Sequence, residues 1–242
     1  MTSVGTLARG LDVLELFGEH APELSQKEIS ERLGLPVPTV HRLTKLLLDR
    51  GYLTRDSHTR RFRLGLAAAR LVSGLRLPDA AREHLQSLAA DTRETASLAV
   101  LHGGEVLYLA SESGGNLLTL RAAPGLHLPS HCTALGKCLL SQLPDEEAQR
   151  AAGPEPYDAL TERTLTRWRE LQRNLEEVRR SGVALSHEEY ELGLDAIAVP
   201  VVPADGAGPF AAGVSLPTSR AKAAARATIV ERLRETARAM GA

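Results

Sequence analysis

His131 and Cys132 stand side by side, the residue types of a nucleophile and its base. Neighbours in a chain seldom turn their side chains toward one another, and such pairs normally meet through the fold. A small buried cysteine is the simpler expectation for Cys132. Cys138, the only other cysteine, lies six residues on, a spacing that fits neither a CxxC pair nor a disulfide framework. A reduced, cytoplasmic setting is expected for both thiols. His187, Glu188 and Glu189 lack the HExxH spacing of a zinc site, and His127, His131 and Cys132 have no recognised ligand spacing. No pair of carboxylates forms an acid–base motif. The chain is therefore expected to be no enzyme, with no catalytic residue, metal or cofactor.

A second chemistry stands out. Between Pro36 and Gly65 seven basic residues face two acidic ones, Asp49 and Asp56, an excess of +5 that leaves −6 on the rest of a chain of net charge −1. A basic segment on an otherwise acidic protein is the footprint of a polyanion site, although a solvated helix face has the same composition. The acidic remainder argues against broad coating of DNA. A third possibility is an anion site at Thr133-Ala134-Leu135, where a helix is expected to begin. Backbone amides at a helix N-terminus lack intrahelical partners and favour negative charge. Thr133 capping its own helix explains the same residues without a ligand.

The elements that position these residues follow from periodicity. A helix is expected over Thr6–Phe17. A second over Gln26–Leu33 has Ser25 and Glu28 spaced as a capping box, and a third runs over Thr39–Arg50. Gly34 lies between the second and third, the helix-turn-helix pattern. Two short strands around Asp56–Thr59 then form a hairpin, a wing. In the third helix the exposed polar positions are Thr39, His41, Arg42 and Lys45. Arg42 suits guanine or a phosphate, Thr39 a cap or a phosphate, and Lys45 the backbone. Arg55, Arg60 and Arg61 lie on the wing, where they suit phosphates or a minor groove. Leu66–Leu75 reads as a linker helix.

Beyond Pro78 the period changes. Strands are expected at 96–101, 105–111, 117–121, 183–186, 196–202 and 210–216. Helices are expected at 80–93, 134–142, 145–151, 167–181 and 219–240, with a loop at 124–129. This is an α+β chain: a winged helix-turn-helix at 1–65, a linker at 66–78, and at 79–242 an antiparallel sheet flanked by helices, of the kind that cups a small ligand. No segment reads as a signal peptide or a membrane span.

Several stretches resemble the IclR family of transcriptional regulators: Leu7–Leu14, Glu28–Pro36, Thr39–Leu43, Gly51-Tyr52-Leu53 and Arg61–Gly65. In the second half Leu128–Lys137 and Gly193–Val201 match the family's two signatures. The resemblance covers nearly the whole chain in order. It implies a GAF-like effector-binding domain, dimers or tetramers on palindromic double-stranded operators, and control of catabolic operons, often by repression, in response to small carboxylates. It also implies that the amides of Ala134 and Leu135 hold a ligand carboxylate beside Thr133. Ser186, Ala196 and Gly213 stand where small-oxoacid sensors of this kind carry an aspartate, a cysteine and a serine; Ser215 keeps a second serine. Losing a charge, a thiol and a hydroxyl suits a less polar, bulkier effector, an aromatic or larger acid. Leu120 is expected as an apolar wall of the pocket or as a core residue. Two other classes stay open: an enzyme fused to a DNA module, and an architectural DNA binder without an effector.

Overall fold

The computed structural model describes residues 3–17, 21–68, 81–116, 123–203 and 209–241. The chain divides into two compact units, Met1–Arg76 and Leu77–Ala242. The expected strand at 117–121, Leu120 and most of the expected linker lie outside the described residues; residues 66–68 are helical.

In the first unit, α1 (Ser3–Glu15), α2 (Gln26–Leu33) and α3 (Val37–Asp49) precede the hairpin of β1 (Leu53–Arg55) and β2 (Phe62–Leu64). Helix α1 starts and ends earlier than its periodicity suggested. The capping box of α2 is present: Ser25 N donates to Glu28 Oε2 at 2.7 Å, and Glu28 N donates to Ser25 Oγ at 3.3 Å. Gly34 ends α2 in the left-handed region, at φ 62°, a conformation glycine adopts at no steric cost.

The third helix begins two residues before Thr39. Pro36 takes the cap position, Pro38 lies in the first turn and Thr39 N donates to Pro36 O at 2.8 Å. Thr39 is thus no cap. Proline fits the first turn because the missing N–H has no intrahelical acceptor there.

Val13, Ile29, Val40, Leu43, Leu53 and Phe62 form the core of this unit. Leu24 and Phe62 exchange backbone hydrogen bonds of 3.1 and 2.8 Å, adding residue 24 to the wing as an isolated bridge.

The second unit is built on an antiparallel sheet in the order β5-β4-β3-β8-β7-β6. Its strands are β3 (Thr95–His102), β4 (Glu105–Glu112), β5 (His127–Pro129), β6 (Ala184–His187), β7 (Leu194–Val201) and β8 (Phe210–Pro217). Gly103 and Gly104, at φ 60° and 90°, make the tight β3–β4 turn, which needs positive φ at both positions. The expected loop at 124–129 ends instead in β5, which pairs with β4 at the sheet edge. Three residues are too few to show alternation.

The two sheet faces differ in residue size. Leu98, Val199, Phe210, Val214 and Leu216 pack against α4 (Ala81–Thr92) and α8 (Ala223–Gly241). The expected terminal helix from Ser219 is in fact a 3-10 turn, Thr218–Arg220, followed by α8. The other face carries Ala99, Ala184, Ala198 and Ala211 under α5 (Ala134–Ser141). α6 (Asp145–Ala152) and α7 (Trp168–Ser181) pack beyond α5 around Leu140, Leu171 and Leu175. Small side chains on that face let α5 pack close to the sheet, with Leu135 directly over Gly213.

Candidate functional site

On α3 the buried positions are Val40, Leu43, Thr44 and Leu47. That periodicity turns His41, Arg42 and Lys45 outward as an exposed stripe, with Thr39 half-buried beside it. The Arg42 and Lys45 side chains enter no ion pair among the described residues, so both charges are available to an outside anion.

The wing arginines divide into two kinds. Arg55 and Arg60 are exposed. Arg55 Nε donates to Arg60 O at 3.0 Å and its guanidinium lies 5.1 Å from the centroid of Phe62. Arg60 sits at φ 60° after an Asp56 turn, in which Asp56 Oδ1 accepts from the amides of His58 and Thr59. Those bonds hold the Asp56 carboxyl below its usual range.

Arg61, by contrast, reaches back to α2. Its Nη2 contacts both Glu28 oxygens at 2.8 Å and donates to Glu23 O at 3.3 Å. Hydrogen bonds from Ser25, then Arg61, hold the Glu28 carboxyl down at about 2. Arg63 pairs with Glu23. Arg61 and Arg63 therefore clamp the wing to α2 and the segment that leads into it. The capping box was legible in the sequence; this second partner of Glu28 was not, because it lies 33 residues away.

In the second unit Thr133 is the N-cap of α5. Its Oγ1 accepts from Gly136 N at 3.2 Å and donates to Pro129 O at 2.9 Å. The cap therefore serves the third amide of the helix. The amides of Ala134 and Leu135 find no acceptor among the described residues. A Cβ on Gly136 would stand 2.3 Å from Ser130 O. Glycine there lets the helix start close against its own approach loop.

Beside this helix end lies a narrow cavity, which Thr133, Ala134, Leu135, Ser186, Ala196, Gly213 and Ser215 all line; its enclosed space, about 20 Å³, is room for a single water. Ser186, Ala196 and Ser215 are aligned across β6, β7 and β8 by the sheet register. Ser186 Oγ donates to Cys132 O at 2.9 Å, which ties β6 to the approach loop. A Cβ on Gly213 would meet Leu135 Cδ2 at 3.0 Å and Ile197 O at 3.1 Å. Tyr108, Leu128, Tyr190 and Leu194 also line the cavity. The sequence reading did not single them out, although two tyrosines are conspicuous in a chain with 3% aromatic residues.

Other candidate chemistry is absorbed by structure. Burial pushes the Cys132 and Cys138 thiols up to about 12, so both stay protonated. The His131 ring stacks on Tyr157 at 5.1 Å, with Nε2 3.1 Å from Asp158 O. His187 lies 2.8 Å from Asp195, whose carboxylate also accepts from Thr218 and Arg226. Strand β6 ends at His187, and Glu188 turns away at φ 55°. Among the described residues no three His, Cys, Asp or Glu side chains gather in an arrangement that could hold a metal ion, and no helix is long and apolar enough to cross a membrane.

Comparison with known proteins gives a consistent picture. Residues 69–242 match the bacterial transcriptional regulator IclR C-terminal family, and residues 6–57 the IclR helix-turn-helix domain. The chain is 32% identical over 242 residues to the DNA-binding transcriptional repressor YiaJ of Escherichia coli, spanning 97% of this chain and 86% of the relative. It is 38% identical over 212 residues to the p-hydroxybenzoate hydroxylase transcriptional activator of Acinetobacter baylyi, spanning 84% and 78%. The crystal structure of an IclR homolog complexed with 4-hydroxybenzoate, from Microbacterium hydrocarbonoxydans, superposes with a TM-score of 0.85 at 29% identity, covering 98% of this chain and 97% of that one. Winged helix-turn-helix, small-residue sheet face and matched sequence together make the chain a member of the IclR family of DNA-binding transcriptional regulators.

Proposed function

We propose that this protein represses a catabolic operon and is released by a small aromatic carboxylate bound between α5 and the sheet. The observation that carries the proposal is the cavity itself: unpaired amides of Ala134 and Leu135 at a helix N-terminus, over a sheet face of Ala, Gly and Ser. The amides and the hydroxyl of Ser215 receive the carboxylate. Ala196 offers a methyl in place of a polar group, and a ring enters by displacing Leu135, which packs directly over Gly213. A relative that activates a p-hydroxybenzoate gene and a homolog complexed with 4-hydroxybenzoate support the aromatic class. The sign is open to a direct check, since one relative is a repressor and another an activator.

DNA binding is assigned to α3 and the wing. His41, Arg42 and Lys45 enter a major groove with Thr39 beside them, while Arg55 and Arg60 follow the phosphates and Arg61 holds the wing in place. A dimer, or a tetramer built from dimers, on a palindrome requires two such helices about 34 Å apart, one turn of duplex, or a multiple of it.

Thermal melting of the full chain with benzoate, 4-hydroxybenzoate, glyoxylate, pyruvate and xylose tests the effector class. A ligand bound only by the folded state stabilises by about 2.7 kcal/mol at a hundred times its dissociation constant. Stabilisation by the aromatic acids alone is expected. Tight, saturable glyoxylate binding contradicts the proposal. A reporter driven by the bound promoter, measured with and without the acid, gives the sign of regulation.

A further inference from the structure

Two of the chain's four tyrosines, Tyr108 and Tyr190, line the cavity. They reach the same face of the sheet from strands toward its opposite edges. Tyr108 lies on β4, Tyr190 follows β6, and β3, β8 and β7 run between them. Tyr108 is only 3% exposed as a whole, and its hydroxyl makes no hydrogen bond to a described residue. That oxygen is not sealed off like the phenol of Tyr157, so it is open to a partner that enters the cavity its side chain lines. Burial, with Tyr190 and Cys132 as its next neighbours, holds the Tyr108 proton on. The group therefore stays neutral and can both donate and accept.

The amides of Ala134 and Leu135 and the Ser215 hydroxyl already supply enough donors for a carboxylate. A neutral phenol at a separate point on the wall matches a different group. We propose that Tyr108, assisted by Tyr190, recognises a ring hydroxyl of the effector and selects hydroxylated aromatic acids over unsubstituted ones. This rests on the docking of a carboxylate at α5 set out above. A site built to bond a hydroxyl rejects the analogue that lacks it, because its own polar group is then left unpaired.

The test is calorimetric titration of the full chain with benzoate, 3-hydroxybenzoate and 4-hydroxybenzoate, repeated on Tyr108→Phe and Tyr190→Phe. Each variant keeps its ring, and a melting curve checks its fold. The wild type is expected to bind one of the hydroxylated acids about tenfold or more tighter than benzoate, the ratio one hydrogen bond provides. Tyr108→Phe is expected to bring that ratio close to one without weakening benzoate, and Tyr190→Phe to lower it part of the way. An unchanged ratio in both variants overturns the proposal while carboxylate docking stands. Equal weakening of all three acids by Tyr108→Phe also overturns it, since the phenol then serves the carboxylate. No binding of any of the three acids removes the docking and this inference together.

Discussion

Lys137 Nζ lies 2.5 Å from Glu189 Oε1, and no part of the lysine side chain reaches solvent. The pair joins α5, which carries the unpaired amides, to the turn that carries Tyr190. Desolvation pulls the Lys137 ammonium below its usual range, with Glu189 opposing the shift. Glu189 Oε2 is buried with no hydrogen-bond partner among the described residues. Removing one member of such a pair strands the other charge in the interior.

Lys137→Met should therefore destabilise the fold by about 3–5 kcal/mol. The double variant with Glu189→Gln should recover much of that loss, because no unpaired charge remains. Urea unfolding followed by the fluorescence of Trp168, the only tryptophan, provides the cycle. A double variant no more stable than Lys137→Met contradicts this account of the pair.

The wing clamp should respond to acid. Glu28 ionises at about 2 in the folded chain against an ordinary 4.5. Between those values the unfolded chain binds more protons, so stability falls as the pH falls through this window. The contribution is complete above about pH 4.5. Glu28→Gln should flatten this part of the acid melting profile and loosen the wing. Parallel profiles for wild type and variant from pH 5 to 2.5 contradict it. The group is part-exposed, so salt should weaken the effect.

Arg42 and Lys45 should behave differently on DNA. Against a duplex selected from a random pool by the protein itself, Arg42→Ala should cost about 1–3 kcal/mol and relax preference at one base pair. Lys45→Ala should weaken all sequences alike and reduce the salt slope by about one counterion. Equal loss for Arg42→Ala on selected and scrambled duplexes reassigns Arg42 to the phosphate backbone.

The buried thiols give an independent check on the second unit. With both pushed up to about 12, Cys132 and Cys138 should resist iodoacetamide at pH 8 in the native protein and react once urea unfolds it. The thiolate is the reactive species, so burial suppresses the reaction through both access and ionisation. Rapid native labelling of Cys132 revives a reactive cysteine.

Much of this structure was legible in the sequence because local patterns carry it. Ser25 and Glu28 form the capping box that their spacing announces, and Gly103-Gly104 turns as two adjacent glycines should. Thr133 caps α5 because a hydroxyl before a helical run has little else to do. What escaped was non-local or very short. The β5 strand has three residues and no alternation. Helix α3 starts at Val37 because two prolines can open a helix as well as interrupt a chain. Lys137 and Glu189 are 52 residues apart. Tyr108 reads as one more strand residue until the sheet order brings it round to the cavity that Tyr190 also lines.

In the proposed function the helix N-terminus of the second unit receives an aromatic carboxylate. Proline at the first helical position is compatible with a helix and removes one of the two open amides. Titration of 4-hydroxybenzoate into the full chain and into Ala134→Pro therefore tests the claim most directly, with a melting curve to check that the variant folds. Saturable binding to the wild type is expected, with a loss of about tenfold or more in the variant, the size of a charge-assisted hydrogen bond. Equal affinity in the two proteins, or no binding to either while glyoxylate saturates, contradicts it.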